Sequence, residues 1–176
     1  FQEMVVNTLF AILLIYMLLA ALFESLLHPV SIVMAIAFSV VGVFWTLWAW
    51  QTPLTSMTLT GMLLLAGIVV NNGIVLLSRI IQLRRDGLDR SQAISLSVQH
   101  RLRPILMTTC TTIAGMLPLA LGEARVGGLG PSYAPMARAI IGGLTIATIT
   151  TLVVLPVIYI LLDDLKDKTH SVKRLL

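Results

Sequence analysis

Residues 54–78 read LTSMTLTGMLLLAGIVVNNGIVLLS, a stretch without one Asp, Glu, Lys or Arg. A helix needs about 20 consecutive apolar residues to cross the hydrocarbon core of a bilayer, and this run supplies them. Two adjacent carboxamides, Asn71 and Asn72, interrupt it. Asn71 lies eight residues before Arg79, which at about 1.5 Å of rise per residue places it about 12 Å inside the membrane. Ser56, Thr60, Gly67, Asn71 and Ser78 follow one another at steps of 4, 7, 4 and 7 residues, so they share one helix face. A stripe of small and polar residues is suited to face protein rather than lipid.

The same reading extends in both directions. Of 176 residues, 57% are hydrophobic and only 11% charged, against roughly 25% charged in a soluble domain. Mean hydropathy is +0.96. A soluble globular fold is excluded. Residues 29–78 carry no charge and are long enough for two spans, with Gln51, Thr52 and Pro53 as the break. Five hydrophobic helices are therefore predicted, at 4–23, 29–50, 54–78, 105–121 and 139–162. Transmembrane β-strands would alternate apolar and polar residues, whereas these runs are continuously apolar. The fold class is all-α, a polytopic membrane bundle occupying 1–165, followed by a tail at 166–176.

Charge sets the expected topology. The 12 bases outnumber the 8 acids. Arg79, Arg84, Arg85, Arg90, Arg101 and Arg103 fall in the loop 79–103, while Lys166, Lys168, Lys173 and Arg174 follow the last helix. Two crossings separate the clusters, so both lie on one side, the cytoplasmic one by the positive-inside rule. The loop 122–138 and the N-terminus then lie outside. A basic face with interleaved aromatics, as nucleic acid requires, is lacking, so nucleic acid is not an expected partner and the lipid bilayer is. Within 79–103, Asp86-Gly87 ends one helix and Asp89 or Ser91 is the expected cap of a short helix predicted to lie along the cytoplasmic surface. Trp45, Trp48 and Trp50 cluster at the far end of the second helix as an aromatic belt.

The first helix is not a secretory signal. Gln2 and Glu3 replace a basic flank, and the apolar run exceeds the usual 7 to 15 residues. The sequence begins with Phe almost at the membrane and reads as a piece of something longer. Cys110 is the one cysteine, so no intrachain disulfide forms.

Further small and polar stripes recur. Thr108, Thr111 or Thr112, and Gly115 mark the fourth span; Gly143, Ala147, Thr150 or Thr151, and Val154 mark the fifth. Gly67, Gly115 and Gly143 are the positions expected to bring helices into close contact. Polar groups at membrane depth tend to mark pathways or proton relays. Asn does not titrate, so Asn71 and Asn72 can orient a proton carrier or a water but not carry the proton. Glu24, Glu123, Asp163 and Asp164 sit at helix ends, leaving no acid in mid-membrane. His28, His100 and His170 are far apart, and no cluster has metal-ligand spacing. Ser and Thr lack a nearby general base. The chain is read as no enzyme, holding no metal or organic cofactor.

The motifs Ala21-Leu-Phe-Glu24-Ser25, Gly67-Ile-Val-Val-Asn71-Asn72-Gly-Ile-Val-Leu, Arg101-Leu-Arg103-Pro104-Ile-Leu-Met-Thr108, Ala134-Pro-Met-Ala, Ile141-Gly142-Gly143 and Val154-Leu-Pro156-Val-Ile-Tyr159 occur in this order. Together they resemble the resistance-nodulation-cell division (RND) efflux transporters, of the hydrophobe/amphiphile exporter type found in Gram-negative bacteria. The resemblance implies the last five helices, numbers eight to twelve, of a much longer inner-membrane permease. It implies a homotrimer driven by the proton gradient, working with its own N-terminal half, a periplasmic adaptor and an outer-membrane channel. By motif, Asn71 occupies a position that in well-known drug exporters is a lysine paired with two aspartates on helix four. Asn72 matches a neighbouring asparagine, Thr108 a relay threonine, and Arg101 an arginine at the cytoplasmic entrance. Asn71 departs from that pattern. Loss of the fixed cation would leave the aspartates with raised pKa, because opposite charge favours the ionised form. Two other readings are a structural or accessory membrane subunit, including one assisting protein secretion, and an inactive truncated fragment.

Overall fold

The computed structural model describes residues 2–25, 28–122, 125, 128 and 130–173, with side chains for these outside 2, 4, 5, 28 and 162–173. Five helices follow in order: α1 (Gln2–Phe23), α2 (His28–Ala49), α3 (Ser56–Arg85), α4 (Arg90–Leu121) and α5 (Ala134–Lys173). Each is long and apolar enough to cross a membrane. The bundle is built around α5, which packs on α2, α3 and α4, while among the described residues α1 packs on α2 and α3 alone.

Local chemistry starts and stops these helices where the sequence placed its punctuation. Gln51 takes a positive φ of 48° in the turn after α2. Thr55 then caps α3 reciprocally: the Thr58 backbone N–H donates to Thr55 Oγ1 at 3.4 Å, and the Thr55 N–H donates to Thr58 Oγ1 at 3.2 Å. Such pairing satisfies two of the donors that a helix start leaves free. Gly87, at φ +89°, supplies the left-handed turn after α3. Asp89 caps α4 by accepting from the Ser91 N–H at 3.3 Å and the Ser91 hydroxyl at 2.8 Å.

Two helices differ from the expected bounds. The surface helix predicted inside 79–103 and the span at 105–121 are one continuous helix, α4, running through Pro104. Proline removes a backbone donor and its ring crowds the carbonyl four residues earlier, yet the packing face does not change there. Ala93, Ser97, Ile105 and Thr109 are all buried along one line at four-residue steps, with Arg101 half-buried between them. A single buried stripe holds both segments in one register. At the other end, α5 begins at Ala134 rather than 139 and continues to Lys173, into the segment assigned to a tail.

The closest helix crossing joins α2 to α5. A methyl group added to Gly42 would lie 2.6 Å from the Gly142 carbonyl oxygen, and one on Gly142 would overlap the Thr46 side chain. One on Gly143 would overlap Leu65 of α3 and meet Val43 of α2 at 2.8 Å. Small residues let membrane helices approach and gain van der Waals contact where no hydrophobic force drives them together. Around this crossing Val43, Leu65, Leu144 and Ala147 are buried. By contrast α1 buries Leu19 and exposes Leu9, Phe10, Leu13, Leu14, Met17 and Leu18. Its surface suits lipid on most sides.

Candidate functional site

The polar stripe of α3 lies on the outside of the bundle. Ser56, Gly67, Asn71 and Ser78 are exposed and Thr60 is half-buried. Asn72, one residue and about 100° further around the helix, turns inward and is 7% exposed. The two carboxamides thus serve different surroundings. The next residue, Gly73, packs against Ile32 of α2 at 3.2 Å from where a methyl would sit.

The hydroxyls of α4 divide in the same way. Thr108 and Thr111 are exposed and Thr112 is half-buried. Each donates its proton to its own helix: Thr108 to the Ile105 carbonyl at 2.9 Å, Thr111 to the Met107 carbonyl at 2.7 Å, Thr112 to the Thr108 carbonyl at 2.8 Å. Back-bonding of this kind satisfies a hydroxyl proton where no water is present. The oxygen lone pairs of Thr108 stay open to accept a proton donor from outside the bundle.

Arg101 lies half-buried on the inner stripe of α4. Its Nε and the Ser97 Oγ, one turn earlier, are both buried without a hydrogen-bond partner. No hydrogen bond joins Asn71, Asn72, Thr108 and Arg101 to one another among the described residues. Asn71 and Thr108 are each exposed, whereas Asn72 is buried and Arg101 half-buried.

The glycines also separate. Gly143 sits in the α2–α3–α5 crossing. A methyl on Gly67 or Gly115 would meet nothing within 4 Å, so within this chain these two do not pack helices together as expected. They belong to the exposed stripes that carry Asn71 and Thr108.

Two constellations were missed in the sequence. Thr109, turned inward beside the candidate Thr108, bonds Thr148 of α5 at 2.9 Å, both buried. Thr148 donates its own proton to the Leu144 carbonyl at 2.7 Å, which makes Thr109 the donor of the pair. Helical spacing alone did not distinguish Thr109 from its neighbours. The second is Arg138, which falls inside α5 because that helix begins early. Its Nε donates to the Ala120 carbonyl of α4 at 3.1 Å and its terminal nitrogen to Thr52 Oγ1 at 2.8 Å. The guanidinium also lies 4.8 Å from the centre of the Trp50 ring, within reach of a cation–π contact. Three elements are tied at this end of the bundle by one side chain. Its signal was a base standing alone between two proline-containing turns and an apolar helix.

A membrane bundle with buried hydroxyl contacts and an exposed polar stripe at membrane depth fits a segment of a membrane transporter. The chain belongs to the AcrB/AcrD/AcrF family, the RND efflux permeases, whose family model matches residues 2–163. It is 35% identical over 168 residues to the swarming motility protein SwrC of Bacillus subtilis (strain 168), covering 96% of this chain and 16% of that protein. It is 36% identical over 159 residues to the multidrug resistance protein MdtC of Erwinia tasmaniensis, covering 90% of this chain and 15% of that one. A crystal structure of a heavy metal efflux pump superposes with a TM-score of 0.75 at 29% identity, over 87% of this chain and 15% of the pump. The chain therefore spans about one sixth of the length of these relatives.

Proposed function

We propose that this chain is the C-terminal membrane part of a proton-driven exporter of hydrophobic or amphiphilic compounds, with its C-terminus in the cytoplasm of a bacterial inner membrane. The observation that carries this reading is the exposure of Asn71 on the same side as Gly67 and Ser78, about 12 Å inside the membrane. A carboxamide facing lipid at that depth is costly, so the stripe calls for a protein partner. The N-terminal half of the same permease, carrying the titrating carboxylates, would cover it. Asn71 would orient the proton carrier, Thr108 would accept a hydrogen bond in the relay, and Arg101 would set the potential on the cytoplasmic side. The proton gradient is the energy source. The relatives named multidrug resistance protein MdtC support drug-like cargo, and the family resemblance supports a homotrimer with a periplasmic adaptor and an outer-membrane channel.

The test uses a full-length permease containing this segment. Asn71→Leu and Thr108→Ala are expected to lower export at least tenfold while trimer yield in the membrane is unchanged. General proton-transfer steps contribute on that scale or more. Unaltered efflux by both variants would leave helix packing as the role of the stripe and overturn the relay.

A further inference from the structure

At the end of the bundle remote from the arginine-rich α3–α4 turn, two cavities meet. One, of about 280 Å³, is lined by Arg125, Ser132, Pro135 and Arg138 together with Thr52 and Pro53. The other, of about 620 Å³, is lined by Phe44, Leu47, Trp48 and Leu54, again with Thr52 and Pro53. Thr52 and Pro53 line both lobes of this region, the smaller carrying two arginines and the larger mostly apolar side chains. No acidic residue lines either lobe among the described residues. Arg138, which lines the smaller lobe, is held in place by its bonds to Ala120 and Thr52. The apolar lobe opens outward: Trp48 is 75% and Phe44 48% exposed. Trp45 and Trp48 stack at a tilt of 48° with centroids 5.8 Å apart, and amphipathic rings of this kind settle at the headgroup level of a bilayer.

We propose that this groove binds one bilayer phospholipid, its phosphate between Arg125 and Arg138 and the start of one acyl chain along Phe44, Trp48 and Leu54. Charge complementarity selects the anion. Two guanidiniums at an interface, with a threonine and a serine hydroxyl beside them, match a phosphate diester through charge-assisted hydrogen bonds. The neighbouring apolar lobe at headgroup depth selects an anion that carries a hydrocarbon chain over a free one. Binding here would pin the α2–α3 turn to the start of α5, and it is independent of the export reading.

The test titrates a purified full-length permease containing this segment, in detergent, with phosphatidylglycerol, phosphatidylcholine or glycerol 3-phosphate and counts retained molecules by native mass spectrometry. One phosphatidylglycerol is expected to be held more tightly than the rest, phosphatidylcholine less so because its own cation offsets the phosphate, and glycerol 3-phosphate not at all. Arg125→Gln and Trp48→Ala, both exposed positions that leave the core intact, are each expected to weaken retention about tenfold. Arg84→Gln, at the opposite end, is expected to leave it unchanged. Retention of phosphatidylglycerol by Arg125→Gln at the wild-type level would overturn the cationic lobe. Displacement of the lipid by glycerol 3-phosphate, or an unaffected Trp48→Ala, would overturn the apolar one.

Discussion

Thr109 and Thr148 show how a single hydroxyl orients a helix inside a membrane. Thr109 points its proton at α5, and Thr108, about 100° around the helix, is left exposed. The expected effect of Thr148→Val is modest, because interhelical hydrogen bonds in membranes average about 0.6 kcal/mol and Thr109 can turn back to its own helix. Unfolding of the chain from detergent micelles checks this, and a loss much above about 1.7 kcal/mol would mean that packing changes as well. Asp89 offers a pH-dependent contact outside the membrane. The Ser91 hydroxyl, then the Arg90 and Ser91 backbone N–H groups, hold its carboxyl below the ordinary value of 3.8. A lowered pKa contributes stability that is present above that value and lost as pH falls through the lowered one. Amide exchange at the start of α4 is therefore expected to speed up below about pH 4 and to become insensitive to pH-driven uncapping in Asp89→Ala. Of the candidate site residues, the sequence identified Asn71 as exceptional by its depth. It did not separate Asn71 from Asn72, because facing depends on which neighbours a helix finds.

The five helices themselves were readable because hydrophobic run length is a direct consequence of bilayer thickness. Their ends were less so. The span predicted to begin at 105 is the continuation of the helix before it, because the buried line from Ala93 to Thr109 passes straight through Pro104. The early start of α5 was hidden by the glycines and prolines around it, and with it the role of Arg138. Glycines illustrate the same limit: Gly42, Gly142 and Gly143 form the α2–α5 crossing, while Gly67 and Gly115 face outward. Composition does not distinguish these cases. Gly142→Ala is expected to cost about 1–3 kcal/mol, because the added methyl meets Thr46 and the Gly42 carbonyl with no room to relax. Gly115→Ala is expected to cost nothing within this chain. Thermal or denaturant unfolding of the two variants side by side checks the contrast, and equal behaviour would mean that α2 and α5 cross less closely than described.

For the whole molecule the decisive property is the lack of any charged side chain between residues 29 and 78, on the span that presents Asn71 to the outside. A proton relay on this face needs its titrating carboxylates from elsewhere in the permease, and Asn71→Lys discriminates between the possible neighbours. If carboxylates lie opposite Asn71, the new cation stabilises their ionised form and lowers their pKa. Protonation then requires a more acidic medium, so the full-length variant is expected to assemble normally while its export optimum moves to lower pH. If lipid lies opposite instead, a lysine near mid-span costs about 2.5–3.5 kcal/mol on insertion scales. The variant would then reach the membrane in reduced amount, with the pH profile of the remaining transport unchanged. Measuring membrane yield and the pH dependence of export on the same preparation separates the two. Reduced yield with an unmoved optimum would remove the relay from this face and leave the stripe as a site of lipid or neutral helix contact.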